Sequence, residues 1–342
     1  MRMTKSLEGY MKGVNLGGWL SQCNHTKERY DTFITKEDFA VIASWKCDHV
    51  RIPVDYNVFM KKDGTFIPEG FKYIDNAVSW CKEYGLNMVL DIHKTVGFHF
   101  DPSENEVGFF DNPDYQQIFK HMWKELAHRY GNLGNSVIFE LLNEVTSPSF
   151  NETWNRVAVE TIAEIRKIAP NVKILFAGYW NGSIDSVKDL VPPPDENVVY
   201  NFHCYSPLIF THQAAPWMAG MPTDNYHVPY PVTYDDENVQ RGKPAYEIMC
   251  IPWPKGTLEE DFESAWANGM SHAEKYGSPL YCGEYGVIDL ADPKSTLAWY
   301  KSIHAAFKKM NIGHALWSYK SMNFGISDEH YKDILKGILE LD

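Results

Sequence analysis

The sequence has no C-x-x-C pair, no H-x-H and no H-E-x-x-H, so a zinc ribbon, a thioredoxin-type dithiol and a helical zinc-protease site are excluded. Its six cysteines, Cys23, Cys47, Cys81, Cys204, Cys250 and Cys282, lie far apart in 342 residues. They read as free, mostly buried thiols rather than a disulfide framework. No stretch approaches the ~20 apolar residues of a membrane span, so no membrane partner is expected. Met1 to Tyr10 lacks the apolar core of a secretory leader, which leaves a cytoplasmic protein or a secreted one made without its leader. Positive charge is short as well: 32 Lys and Arg stand against 45 Asp and Glu, a formal charge of −13. Such a chain repels phosphate backbones, and nucleic acid is not an expected partner. A glycine-rich phosphate loop is also missing. Asn15-Leu16-Gly17-Gly18-Trp19 lacks the spacing and the acidic partner of a dinucleotide site.

What remains is a globular pattern, because hydrophobic residues make up 44 % and aromatics 14 % of the chain. The length fits two average domains or one large α/β barrel. Short apolar runs alternate with amphipathic helical stretches from end to end. The runs are Gly13 to Gly18, the stretch ending His49-Val50-Arg51-Ile52-Pro53, Leu86 to His93, Val137 to Glu144, Val172 to Ala177, Val198 to His203, Pro279 to Gly283 and His314 to Ser318. Between them lie helical patterns such as Phe71, Ile74, Ala77, Val78 and Cys81, at i, i+3, i+4 spacing. A helix is expected over roughly 257–276 and a last one near 331–340. Eight strand–helix units in series predict an α/β fold of one architecture, a single (β/α)8 TIM barrel spanning 1–342. Its parallel strands, covered on both faces, explain the continuous apolar runs. The Pro- and aromatic-rich stretch 205–255 is too long for a bare loop, and it is expected to form a small inserted subdomain after strand six.

The carboxyl-terminal ends of these strands carry Arg51, His93, Asn143-Glu144, His203-Cys204-Tyr205, Glu284 and Trp317. In a barrel all such ends converge on one mouth, where active sites are built. Two carboxylates on that rim point to glycoside hydrolysis, which needs one acid to protonate the leaving oxygen and a second to attack the sugar carbon or activate water. No metal and no cofactor is required. Glu140 and Glu144 share a face by strand parity, but four residues separate them by roughly 13 Å, too far for a catalytic pair. Glu140 is therefore expected to be structural, and Glu144 to pair with Glu284.

These segments resemble glycoside hydrolase family 5, a retaining clan of (β/α)8 barrels. The likeness rests on Arg51-Ile52-Pro53, Leu90-Asp91-Ile92-His93, Phe139-Glu140-Leu141-Leu142-Asn143-Glu144, His203-Cys204-Tyr205, Tyr281-Cys282-Gly283-Glu284-Tyr285-Gly286 and Trp317-Ser318-Tyr319-Lys320. It covers nearly the whole chain and is strongest toward compact clostridial-type endo-β-1,4-glucanases. The resemblance implies Glu144 as acid/base, Glu284 as nucleophile, and Arg51, His93, Asn143, His203, Tyr205 and Trp317 as supporting and substrate-binding residues. Two carboxylates ~5 Å apart do not both ionise cheaply, so the acid's proton affinity is expected to be raised by its neighbour. Two departures stand out: Lys94 follows His93 where many relatives have a second histidine, and Val145 follows Glu144 where proline is common. Trp19 and Trp180 after strands one and five, and Phe98 and His99 after strand three, are candidate outer subsites. Cys204 and Cys282 are expected to be turned away from the site by strand alternation.

The implied function is retaining endo-β-1,4-glucanase activity on cellulose-like or mixed-linkage β-glucan, by a monomer acting on a β-linked polysaccharide or oligosaccharide. Mannanase, xyloglucanase and exo-β-1,3-glucanase activities share the same chemistry. A non-catalytic polysaccharide-binding barrel would have signalled itself by loss of a rim glutamate, and a metal-dependent barrel hydrolase by clustered histidines.

Overall fold

The computed structural model describes residues 4–258 and 262–341. The eight apolar runs form β1 (Lys12–Asn15), β2 (His49–Asp55), β3 (Asn87–Lys94), β4 (Val137–Glu140), β5 (Ile174–Ala177), β6 (Val198–Cys204), β7 (Leu280–Tyr285) and β8 (Gly313–Leu316). Each pairs in parallel with its sequence neighbours, and β8 closes on β1. The ring leaves no sheet edge exposed.

The outer layer contains α1 (Lys36–Ser44), α2 (Phe71–Tyr84), α3 (Pro113–Tyr130), α4 (Asn151–Arg166), a 3-10 segment at Ile184–Asp189, α5 (Phe262–Tyr276), α6 (Pro293–Met310) and α7 (Leu335–Ile338). Their starts follow local chemistry. Thr35 and Asp38 form a capping box on α1. Asn112 and Asp292 accept backbone N–H bonds ahead of Pro113 and Pro293, where proline costs no hydrogen bond. Part of the helix expected over 257–276 is not helical. Thr257–Leu258 pairs antiparallel with Val232–Thr233 instead, residues 259–261 lie outside the described residues, and α5 begins at Phe262. The last helix is likewise short, four residues rather than ten.

Apolar side chains form two bodies. A small one fills the amino-terminal end of the barrel with Leu7, Tyr10, Val89, Ile138, Leu175, Val199, Tyr281 and Ala315. The large one packs helices against the barrel's outer face. Within 205–255 the chain makes three short helices, and its buried Phe210, Tyr226, Tyr230 and Val232 join the large body. Among the described residues no two cysteines are joined, and no helix is long and apolar enough to cross a membrane.

The inner plug locates the site. Counting by twos from Val89, Ile138 and Val199 brings Asp91 and His93, Glu140, and Asn201 and His203 to the inside, each step nearer the carboxyl-terminal mouth. Above a greasy floor the barrel therefore becomes polar. The same count fails on β7. From Tyr281 inside, Cys282 faces out, and Glu284 should face out with it. The register shows why it does not: Phe202 pairs with Cys282 but His203 pairs with Glu284. Gly283 is the extra residue of a β-bulge, which re-aims the side chain that follows. A Cβ on Gly283 would sit 2.9 Å from Asn201 Oδ1 and 3.0 Å from His203 Nε2, so glycine makes room for both. Cys282 thus faces the outer core by simple alternation from Tyr281, and it is Glu284 that the bulge turns inward. A second bulge falls at His93, which β2 skips between Ile92 and Lys94.

Candidate active site

Arg51, fully buried, anchors the polar layer. Its Nε and Nη2 fork onto Glu140 at 2.7 and 2.8 Å. Nη2 also donates to Asn143 Oδ1 at 2.9 Å and lies 3.1 Å from Asp91. Nη1 donates to Asn15 Oδ1 at 2.9 Å and to Glu284 Oε1 at 2.7 Å. Tyr205 Oη donates to the other oxygen of Glu284 at 2.9 Å. Glu284 therefore has both oxygens engaged by donors, one of them cationic, which fixes the carboxylate in place.

Glu144 is held differently. β4 ends at Glu140, four residues earlier than the expected run, and beyond it the pairing is irregular, with Leu141 N and Asn143 N still donating to Leu175 O and Ile92 O. Glu144 itself has φ of +45°, a left-handed conformation uncommon outside glycine, asparagine and aspartate. The straight-strand separation from Glu140 therefore does not apply. Glu144 Oε1 lies 2.9 Å from His203 Nδ1, and Oε2 accepts from Asn181 Nδ2 at 3.0 Å. His203 Nδ1 is also 3.6 Å from Glu284 Oε2. One carboxylate oxygen of each glutamate and one ring nitrogen of His203 all lie within 4.8 Å of one another. That spacing matches the ~5–5.5 Å of retaining glycosidases rather than the ~6.5–9.5 Å of inverting ones.

Electrostatics assign unequal characters to the two acids. Burial raises the pKa of Glu144, and the Asn181 bond works against that rise. The largest cause is thus desolvation, not the neighbouring carboxylate as expected from sequence. Burial likewise lifts Glu140, and lifts Asp91 to about 7. It pushes His93 and His203 down to about 4, so both imidazoles are neutral near pH 7. Asn143 Nδ2 donates to His93 Nε2 at 3.3 Å, which leaves the Nδ1 proton for Asp91 at 2.7 Å. His93 in turn stacks on Trp317, centroids 5.9 Å apart and planes 6° from parallel.

The eight principal positions, Arg51, His93, Asn143, Glu144, His203, Tyr205, Glu284 and Trp317, converge on one mouth. The candidate outer positions divide. Trp180 is 55 % exposed and immediately precedes Asn181. His99 lies beside His93 with ring centroids 6.4 Å apart. Trp19 is not available to a sugar: it is fully buried, stacks near Trp80, and gives its indole N–H to Tyr30 O. Phe98 is also buried, edge-on to Phe110, while Phe100 packs against His93. Lys94 turns from the site to pair with Glu104 at 2.7 Å.

Sequence reasoning missed four participants: Asp91, Asn15, Asn201 and Asn181. Asp91 was readable, since it is two residues from His93 on an inward face. Asn181 was not, because its segment shows no periodicity.

A (β/α)8 barrel with two buried carboxylates facing each other at its mouth defines a glycoside hydrolase. The chain belongs to the cellulase family, glycosyl hydrolase family 5, whose model matches residues 9–323. It is 45 % identical to cellodextrinase A of Ruminococcus flavefaciens over 311 residues, covering 91 % of this chain and 85 % of that one. It is 36 % identical to endoglucanase C of Acetivibrio thermocellus over 340 residues, with 97 % of both chains covered. The fold is shared with Thermotoga maritima Cel5A in complex with cellobiose, at TM-score 0.75 and 23 % identity over 96 % of this chain and 97 % of that one. The same enzyme solved with mannotriose gives TM-score 0.76 at the same identity and coverage.

Proposed function

We propose that the protein hydrolyses β-1,4-linked glucan, cello-oligosaccharides included, by double displacement with retention. The single observation that supports this most is the pairing of Glu144 and Glu284 across His203, one held by neutral donors and the other by a guanidinium. In the first step Glu284 attacks the anomeric carbon and forms an ester, while Glu144 gives its proton to the departing glycosidic oxygen. In the second step Glu144 takes a proton from water, water attacks the same carbon, and Glu284 leaves. Asn143 is placed to bond the sugar 2-hydroxyl, a contact that strengthens in the transition state. His93 and Trp317 form one wall of that subsite. Trp180, exposed and next to the residue that touches Glu144, is proposed as a subsite on the leaving-group side, and the 205–255 segment as a wall of the groove. The acidic chain, at −13, suits a neutral glycan, and the reading is of a monomer with neither nucleic acid nor membrane as partner.

The β-1,4-glucan assignment draws on the names of the two relatives above. It is tested by product profiles on cellotetraose, mixed-linkage glucan, mannan and xyloglucan, with the first product's anomer read by NMR. A preference for mannan, or an inverted first product, would overturn it. The roles are tested by Glu144→Ala. Turnover of cellotetraose should fall by about 10²–10⁴-fold. 2,4-Dinitrophenyl cellobioside, whose leaving group needs no proton, should still show a rapid first burst followed by slow release. Loss of both phases together would contradict the acid/base role.

The three donors of Glu144, His203 and Glu284 are close enough to hold a cation. Each is already engaged by Asn181, Arg51, Tyr205 or the other members of the trio, and no step above needs a metal. Exhaustive dialysis against EDTA is expected to leave kcat/KM on cellotetraose unchanged, with restoration by an added divalent ion as the contrary result.

A further inference from the structure

The grip on Glu144 comes from two elements that are themselves tied together. Asn181 sits in a tight turn after β5, with φ of +50° at Trp180, +54° at Asn181 and +69° at Gly182. The turn is fastened at both sides. Asn181 N donates to Val145 O at 3.0 Å, the residue after Glu144, and Ser183 bridges His203 on β6. The turn therefore sets where the Asn181 amide and the His203 imidazole stand relative to each other and to the acid loop. Three successive left-handed residues are costly, above all at the two that are not glycine. Asparagine tolerates that region better than most.

We propose that Asn181 is a positioning residue for the proton donor. Its amide fixes the Glu144 carboxyl against His203 and sets the balance between the protonated form needed for bond cleavage and the ionised form needed to activate water. This rests on the assignment of Glu144 as acid/base. In its protonated state Glu144 holds the proton on Oε1, the oxygen beside His203 Nδ1, and Asn181 donates to Oε2. When the proton leaves, the same N–H bonds a full negative charge and strengthens. The bond thus favours the ionised form and opposes the burial that raises Glu144. The other groups facing this carboxyl are His203 from β6, Tyr205 just after it, Glu284 from β7, Arg51 from β2, Asp91 and His93 from β3, and His99 from the loop after it. None of these changes when Asn181 is altered.

The test uses Asn181→Gly, which removes the side chain and accepts positive φ, and Asn181→Asp, which keeps shape but places a negative charge on Glu144. The basic limb of kcat/KM on cellotetraose should move up by about one pH unit in the glycine variant and further in the aspartate variant. The acid limb should stay in place in both. A residue that merely supports the fold would lower the plateau and leave both limbs where they are, and that result overturns the proposal. If the glycine variant does not fold, as judged by near-ultraviolet circular dichroism, the near-isosteric aspartate variant carries the same readout alone. Glu144→Gln separates this proposal from the role on which it rests. Its residual hydrolysis of 2,4-dinitrophenyl cellobioside should lack the basic limb; if that limb persists, the acid/base assignment fails rather than the part given to Asn181.

Discussion

Glu284→Gln should lower kcat/KM on cellotetraose by at least ~10⁴-fold, the scale seen when a covalent nucleophile is removed, with no loss of stability. The amide keeps the shape. Its carbonyl oxygen still accepts from Arg51 Nη1, now 2.7 Å from Glu284 Oε1. Its nitrogen donates to Tyr205 Oη, which reverses the present bond of 2.9 Å. What disappears is the carboxylate oxygen proposed to form the glycosyl ester. The stability side follows from charge. Asp91, Glu140, Glu144 and Glu284 surround the single guanidinium of Arg51, and the two imidazoles are neutral at pH 7. Removing one negative charge relieves that excess, so the melting temperature should hold or rise, as at other sites where activity is kept at the expense of stability. The checks are single-turnover kinetics and calorimetry. Residual activity above a tenth of wild type, or a clearly lowered Tm, would contradict the assignment.

The second large effect concerns Arg51 itself. Its five N–H groups reach Glu140, Asn143, Asn15 and Glu284, with Asp91 3.1 Å away. Arg51→Met leaves three buried carboxylates without their cation. Breaking a buried pair from one side costs about 3–5 kcal/mol, and activity should fall at least ~10²-fold as Glu284 loses its electrostatic hold. Arg51→Lys, with charge but no planar fork, should fall between the two. The pH dependence has a definite sign. A carboxyl whose folded-state pKa stands above its unfolded value binds its proton more tightly when folded. The stability it confers is full at low pH and is lost as pH rises through the folded value. Asp91, at about 7, and Glu140 are already raised by burial. The gap between Arg51→Met and wild type in urea denaturation should therefore be smaller at pH 5 than at pH 8. A gap that widens on acidification would show that these carboxyls do not carry the penalty.

The order of strands and helices was legible because parallel strands covered on both faces must be apolar throughout, and because caps such as Thr35 and Asn112 announce helix starts locally. The catalytic pair was legible because charged groups at strand ends need a reason to be there. Boundaries were less so. Val137 to Glu144 looks like one strand, yet regular pairing stops at Glu140; Leu141 N and Asn143 N still donate to Leu175 O and Ile92 O, and Glu144 takes a left-handed backbone. Trp19 and Trp180 occupy equivalent places after their strands, but only packing decides that one is fully buried and the other half-exposed. Asn181 was illegible for a related reason. Its role depends on a tight turn and on a contact between loops of neighbouring strands, and neither leaves a periodic trace in the chain.

The bulge at Gly283 has a consequence for how this enzyme tolerates change. Most lesions in a protein alter what a side chain is, and the surrounding wall absorbs them or does not. A β7 that kept every residue but pleated regularly through Gly283, with none left out of register, would instead swing an intact glutamate to the helix side of the wall. All the chemistry would remain encoded and none of it would meet the sugar. Insertions and deletions are usually tolerated in loops and selected against in cores for reasons of packing. Here the pleat at a single residue near the end of a strand decides which side of the barrel the nucleophile inhabits.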